Sequence, residues 1–264
     1  MDYMAQNGRA APQLLMPNAK SAIVTALAYP KPAPARTVGS SKGVVAQFAL
    51  GTDYHTVVHA KLRALADECQ RIVGRPVAFR ACVDSAPLLE RDLAVRAGLG
   101  FFGKSTLLIA PGLGSYFMLG ELLTDLELPE AQAHRARCGR CTACLDACPT
   151  RAFVAPYVLD ARRCVSYLTI ENRGEIAPEL RPLIGRHVFG CDICQSVCPF
   201  NASRKPHPSA PELAARPALI DPDLAALLHL TASGYRRLVS GTALRRVNRA
   251  QLARNAAIAL GNSV

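Results

Sequence analysis

No stretch of this sequence is both long and apolar enough to cross a bilayer, and polar residues interrupt Met1 to Ala11, where a secretory signal would need an apolar core. Short repeats are missing too: the 18 Gly and 19 Pro are scattered through varied sequence, which excludes collagen-like, coiled-coil and low-complexity classes. Acidic side chains are scarce, with 20 Asp plus Glu against 31 Lys plus Arg, for a formal net charge of +11. That excess suits a polyanionic partner such as nucleic acid, and equally a small acidic ligand or simple solubility. What the chain does have is 264 residues, 50% of them hydrophobic, enough to bury a substantial core in one large or two modest domains. Without an export or membrane segment the expected setting is the cytoplasm. Stable disulfides are disfavoured there, so the 10 cysteines point to metal or redox chemistry.

Four of them, Cys138, Cys141, Cys144 and Cys148 in CGRCTACLDACP, follow the spacing of bacterial-type ferredoxin modules, with Pro149 immediately after. In such a run the first three thiolates converge on one iron-sulfur cube and the fourth serves the other. CDICQSVCP repeats most of the pattern at Cys191, Cys194 and Cys198, but Val188 stands where another ligand would be. Two cubes need eight ligands, and Cys164 in DARRCVSY is the natural replacement. Crossed ligation then predicts Cys138, Cys141, Cys144 and Cys198 around one 4Fe-4S cluster and Cys148, Cys164, Cys191 and Cys194 around the second. Paired structural zinc is the competing reading, and the crossed cysteines followed by Pro149 and Pro199 fit ferredoxin packing better. Cys69 falls on the apolar phase of a predicted helix and reads as core, as does Cys82, although Cys82 is close to Asp84.

Ahead of the cysteines the pattern is α/β. Ser21 to Tyr29 reads as a buried strand, interrupted by a Pro/Ala-rich stretch from Pro30 to Ala35 and a linker containing Gly39 and Gly43. Thr56 to Ile72 carries apolar residues at helical spacing, and RPVAFRACVD follows as a short strand. LLERDLAVRAGLG predicts a second helix stopped by Gly98 or Gly100, with STLLIA as a strand candidate and SYFMLGELLTDL as another apolar segment. Asp221 to Leu260 is mostly helical in character, with a break over Thr231 to Gly241.

Several polar groups stand out on this frame. Asp53, Tyr54 and His55 precede a helix, where side chains and free N–H groups can face a ligand, although Thr52 or Asp53 also suit capping. Asp84 follows a strand at a predicted turn, where an acid can point into a cleft or cap a helix. Gly98, Gly103, Lys104 and Ser105 satisfy GxxxxGK[ST] literally, but they follow a predicted helix and precede a predicted strand, the reverse of a phosphate-binding loop. Arg236, Arg237, Arg245, Arg246, Arg249 and Arg254 form a basic belt suited to phosphate contacts or to a solvated face.

Taken together, DYH at Asp53 to His55, VDSAPLLER at Val83 to Arg91, AGLGFFGKSTLL at Ala97 to Leu108, the two cysteine runs, DARRCVSYLTIE and the tail ALRRVNRAQLARNAAIALGN closely resemble the epoxyqueuosine reductase family. The resemblance covers nearly the whole chain. It implies a cobalamin-dependent, iron-sulfur oxidoreductase that converts epoxyqueuosine to queuosine at the tRNA wobble position. By that resemblance, clusters would reduce cobalamin to a cobalt(I) state that attacks an epoxide carbon, with Asp84 as proton donor. Asp53, Tyr54, His55, Lys104 and Ser105 become candidates for the corrinoid or substrate wall. The expected architecture is an α/β cobalamin-binding and catalytic body (residues 1–129), shorter at its N terminus than in family members, then a bacterial-ferredoxin-like module with two 4Fe-4S clusters (130–205) and a C-terminal helical, HEAT-like, tRNA-facing segment (206–264). Expected partners are a queuosine-family tRNA and an external low-potential electron donor, with no membrane, for a monomer. Competing functions are a corrinoid- or flavin-dependent small-molecule reductase, a noncatalytic ferredoxin-like electron carrier, and an iron-sulfur nucleic-acid-binding module.

Overall fold

The computed structural model describes residues 9–30, 41–202 and 209–263. The Pro/Ala-rich stretch beyond Pro30 and the linker position Gly39 therefore lie outside the described residues. The order of the first elements is β1 (Ser21–Ala28), β2 (Val44–Val45), α1 (Tyr54–Val73), β3 (Phe79–Cys82), α2 (Glu90–Arg96), β4 (Phe101–Phe102), β5 (Leu108–Ile109) and β6 (Phe117–Thr124). β1 and β3 flank β6, both antiparallel to it, with Ala28 opposite Phe117 and Cys82 opposite Glu121. The strand–helix–strand run β1–α1–β3 is therefore opened by a strand that arrives from almost forty residues further along.

Alternation along β6 assigns its two faces. Leu122 joins Val58 and Leu62 of α1, whereas Phe117, Leu119 and Leu123 pack on the side of α2. Gly120 faces α1, and an added Cβ there would come 2.6 Å from Val58 Cγ1 and 3.1 Å from Leu62 Cδ1, so the helix lies against bare backbone. Asp53 caps α1 and Gly74 ends it in left-handed backbone at φ 69°. The apolar stripe of α1 is buried at Val57, Val58 and Leu62, but Ile72, near the end of the helix, is 69% exposed.

Lys104 and Ser105 sit in the turn of the β4–β5 hairpin, where Gly103 N–H donates to Leu107 O at 2.8 Å. A hairpin that follows a helix cannot present a phosphate-binding loop, so the literal GxxxxGK[ST] match carries no nucleotide site here.

The cysteine-rich region is built of short pieces: α3 (Ala143–Asp146), β7 (Phe153–Ala155), β8 (Val158–Leu159), α4 (Val165–Ile170), β9 (His187–Phe189), α5 (Ile193–Ser196) and α6 (Pro199–Ala202). It is tied to the α/β part twice. β9 pairs in parallel with β2, and a buried polar knot joins Ser115 to Asn201 and Gln195, with Ser115 N–H to Asn201 Oδ1 at 2.7 Å and Ser115 Oγ to Gln195 Oε1 at 2.9 Å.

The tail forms α7 (Leu224–Leu228), α8 (Ala232–Val239) and α9 (Arg249–Gly261). The break expected over Thr231 to Gly241 is in fact mostly α8, because Thr231 caps it by accepting the Gly234 N–H. Within that span Thr231, Ser240 and Gly241 lie outside the helix. The largest buried cluster draws on Val45, Val188 and Phe189 as well as Leu224, Leu244, Leu252 and Ala256, so the tail helices complete a core begun by β2 and β9. No described helix is long and apolar enough to cross a membrane.

Candidate functional site

The Asp53 carboxylate accepts the His55 backbone N–H at 3.1 Å and His55 Nδ1 at 2.8 Å. This double contact fixes the imidazole so that Nε2 lies 3.1 Å from Asp84 Oδ2. Tyr54 donates its hydroxyl to the same Asp84 oxygen at 2.6 Å and stacks on His55 with ring centroids 4.1 Å apart. Two consecutive residues of the first turn of α1 thus reach one carboxylate in the loop after β3. That loop is held by backbone as well: Asp84 has φ 43°, a left-handed conformation that Asp tolerates better than most residues, and its N–H donates to Glu90 Oε1.

The electrostatics follow from these bonds. The hydrogen bond from His55 is the largest influence holding Asp84 below the usual carboxylate range; Tyr54 adds to it and burial opposes it. The bond to Asp84 likewise raises His55, against burial and with help from Asp53. Burial, then the Asp84 charge, pushes Tyr54 well above its ordinary value, so its hydroxyl remains a donor. With Nδ1 committed to Asp53, Nε2 can donate to Asp84 only in the imidazolium, the form that these hydrogen bonds favour beside an ionised Asp84.

Asp84, Tyr54 and Phe48 belong to the wall shared by two cavities. One, of about 420 Å³, opens past His55, Arg9, Glu171 and Arg246. The other, of about 470 Å³, runs along Leu107, Leu108, Met118 and Leu119 to Cys164, Cys191 and Cys194. Ser105 also lines this second cavity and is buried. Asp53 is buried behind His55. Lys104 is engaged elsewhere: its Nζ donates to the Gly139 and Cys141 carbonyls at 2.9 Å each, and its backbone N–H approaches Cys138 Sγ at 3.4 Å. It braces the cysteine loop rather than lining either cavity.

None of the ten cysteines is joined in a disulfide. Besides burial, Cys144 is raised by Cys138, Cys198 and Cys141. Burial likewise pushes Cys191 up to about 12, with contributions from Cys164 and Cys148, and raises Cys194, which feels Cys191 and Cys164. The neighbours thus divide into the two crossed sets, and Cys144 is also felt by Cys194 across the gap between them. Thiolates crowded and buried in this way need a strongly positive inorganic core to stay deprotonated, as iron provides. Among the described residues no three His, Cys, Asp or Glu side chains are arranged to hold a single metal ion. Of the other two cysteines, Cys82 is buried in the core and Cys69 is only partly covered.

The basic belt divides by task. Arg246 makes a paired contact with Glu171 at 2.9 and 3.2 Å beside the first cavity, Arg249 donates to Leu230 O at 3.0 Å, and Arg254 donates to the carbonyls of Leu168 and Asn172 at 2.9 Å each. Arg236, Arg237 and Arg245 remain on the exposed surface. Sequence reasoning missed Glu90 and Glu121, both near Asp84. Glu90 reads as an ordinary acid in a first helical turn, and the one available signal for Glu121 is a lone carboxylate in the apolar run FMLGELLT.

Two family models match the chain: "Epoxyqueuosine reductase QueG" over residues 9–85 and "4Fe-4S double cluster binding domain" over residues 137–201. An epoxyqueuosine reductase of Pseudomonas aeruginosa is 46% identical over 270 residues, covering 100% of this chain and 74% of the relative. A solved epoxyqueuosine reductase with an epoxyqueuosine-modified tRNA-Tyr stem loop is 34% identical and superposes with a TM-score of 0.89, over 97% of this chain and 68% of that one. The Bacillus subtilis enzyme, solved with its catalytic aspartate loop swung out of the active site, gives 34% identity and a TM-score of 0.88 over the same shares.

Proposed function

The chain belongs to the epoxyqueuosine reductase family, and from that premise we propose that it reduces epoxyqueuosine to queuosine in the tRNA wobble position, with Asp84 and His55 handling the protons. The observation that carries this reading is the place of Asp84 on the wall common to both cavities. One cavity leads to the thiols of Cys164, Cys191 and Cys194, and the other opens beside Arg9 and Arg246. A reacting atom at the junction can therefore meet an electron route from one side and a proton donor from the other.

The double-cluster region holds two 4Fe-4S clusters, which we assign to the crossed sets Cys138, Cys141, Cys144, Cys198 and Cys148, Cys164, Cys191, Cys194. Cys141 is exposed, which makes the first set the entry for an external low-potential one-electron donor. We assign the second cavity to one face of a cobalamin: its apolar wall suits the flat face of a corrin, and its far end reaches the inner cysteines. When bound there, cobalamin supplies a nucleophilic cobalt centre able to deliver two electrons, which the clusters provide singly. Leu107, Leu108, Met118 and Leu119 would exclude water from that face, and Ser105 with Tyr54 would meet its polar edge.

The remaining chemistry belongs to this chain's own side chains. An epoxide placed against Asp84 needs a proton as its C–O bond opens; the His55 Nε2 proton, passed through Asp84 Oδ2, meets that need. Asp53 steadies the imidazole throughout, and Tyr54 keeps the carboxylate oriented. The overall change balances as epoxide plus two electrons and two protons giving alkene plus water. Arg9 and the exposed Arg236, Arg237 and Arg245 supply positive charge for the tRNA backbone.

The test is anaerobic reconstitution with iron, sulfide and cobalamin, followed by assay on epoxyqueuosine-containing tRNA with a strong reductant. Roughly eight irons per chain, a bound corrinoid and loss of the epoxide are expected. Full clusters with neither corrinoid binding nor turnover would make the chain an electron carrier instead.

A further inference from the structure

Glu121 is an anomaly in the core. It lies at the middle of β6, on the face shared with Leu119 and Leu123, and is 0% exposed. Its cross-strand neighbours are Cys82 on β3 and Val24 on β1, and neither Glu121 oxygen has a conventional hydrogen-bond donor. What it meets is the carboxyl of Glu90, in the first turn of α2. Two carboxylates cannot hydrogen bond to each other unless one carries a proton, and two buried negative charges side by side would be strongly repulsive. Complete burial of Glu121 without a donor, beside a second carboxyl, therefore favours a proton held by the pair.

Glu90 connects this buried pair to the site. One of its oxygens accepts the Asp84 N–H, and its side chain lines the same cavity as Asp84. We infer that Glu90 and Glu121 form a one-proton store that recharges the Asp84–His55 couple, delivering one of the two protons that reduction of the epoxide consumes. The inference rests on the function proposed above. In each turnover the pair releases one proton by way of Glu90 to the Asp84–His55 couple, passes only transiently through the doubly charged state, and regains a proton from solvent. The electrons come from the external low-potential donor and are not altered by this step.

The surroundings favour the protonated pair. Burial is the largest influence raising both glutamates; the Asp84 charge adds at Glu90, and the Glu90 charge adds at Glu121, with Asp84 contributing there too. Arg91 is the cation that opposes the trend at Glu90, and on β3 the neighbouring Cys82 thiol is itself raised. Asp84 itself is held low by hydrogen bonds from His55 and Tyr54 of α1 and by the charges of His55 and Arg246. Placing the proton store behind the loop, on a rigid central strand, keeps it available when Asp84 is ionised.

The test compares the reconstituted wild-type chain with Glu121→Gln, which preserves shape and the neutral state, and with Glu90→Gln. Infrared difference spectra recorded during an alkaline titration should show a protonated carboxylic acid in the wild type that is lost as pH rises, is missing in Glu121→Gln and is shifted in Glu90→Gln. Single-turnover reduction by Glu121→Gln should fall by roughly tenfold to a hundredfold in mildly alkaline buffer and much less in mildly acidic buffer, with cluster and corrinoid spectra unchanged. A wild type without the acid band, or a Glu121→Gln pH–rate profile that overlays the wild type, would overturn the proton store. The infrared arm needs no turnover, so an inactive wild type would count against the proposed reaction while the band still decides the pair.

Discussion

Asp84 and His55 divide one proton between them, and the direction of each shift follows from the other. His55 is raised by its carboxylate partners, so the imidazolium adds stability that is fully present below the pKa of an unfolded histidine and is lost as pH rises through the folded value. Asp84 is lowered, so its contribution is present above the unfolded aspartate value and lost as pH falls through the folded one. Asp84→Asn removes the acceptor of both Tyr54 and His55. Turnover should drop by about 10²–10⁴-fold while iron content and corrinoid binding stay intact, and the His55 titration followed by NMR should move down. Undiminished turnover would end the role assigned to Asp84. The motifs made Asp53, Tyr54, His55 and Asp84 stand out, since polar groups before a helix and after a strand are legible as a pattern. That Asp84 is the ionised member of the couple was not legible, because the shift depends on a 3.1 Å approach across 29 residues of chain.

At the scale of elements, β6 positions most of what matters. Its α1 face is closed by Val58 and Leu62 over Gly120, and its other face carries Glu121 toward α2. Gly120→Val would drive side-chain atoms into Val58 and should destabilise the protein by about 1–3 kcal/mol in urea unfolding, unless α1 shifts outward. If α1 does shift, Tyr54 and His55 move with it and activity falls at unchanged cluster content. The cysteine loops allow a sharper test of crossed ligation. Cys144→Ala with Cys198→Ala removes two ligands from one set and should leave about half of the iron; Cys144→Ala with Cys148→Ala strikes both sets and should leave almost none. Equal losses in the two double variants would refute the crossing. Spacing alone separated the cysteine runs, because local turns dictate which thiolates converge. Spacing did not place Lys104 on the Gly139 and Cys141 carbonyls, since that contact joins a hairpin to a loop from a distant stretch of sequence.

For the whole molecule, α9 fastens the tail to the cluster-bearing region. Asn255, 1% exposed, donates to Thr169 O at 2.8 Å and Val188 O at 2.9 Å, and Arg254 covers neighbouring carbonyls. Asn255→Ala leaves these buried acceptors unpaired and should cost about 1–3 kcal/mol. Because the same core includes β2 and β9, cluster absorbance and helical circular dichroism should be lost together on heating. Separate transitions would show that the tail unfolds independently.

By itself the sequence determined the local chemistry: the cysteine spacings, the capped helices, the alternating strands and the polar groups at their ends all follow from interactions within a few residues. It also carried the family likeness, because those local patterns occur in a specific order. Only the tertiary structure decided that β6 enters between β1 and β3, that Asp84 stands between two cavities, that half of the basic belt is spent on carbonyls and Glu171, and that Glu90 meets Glu121. Each of these is a contact between distant parts of the chain, selected by packing and by the desolvation of buried charge, and neither is encoded in the spacing of neighbours.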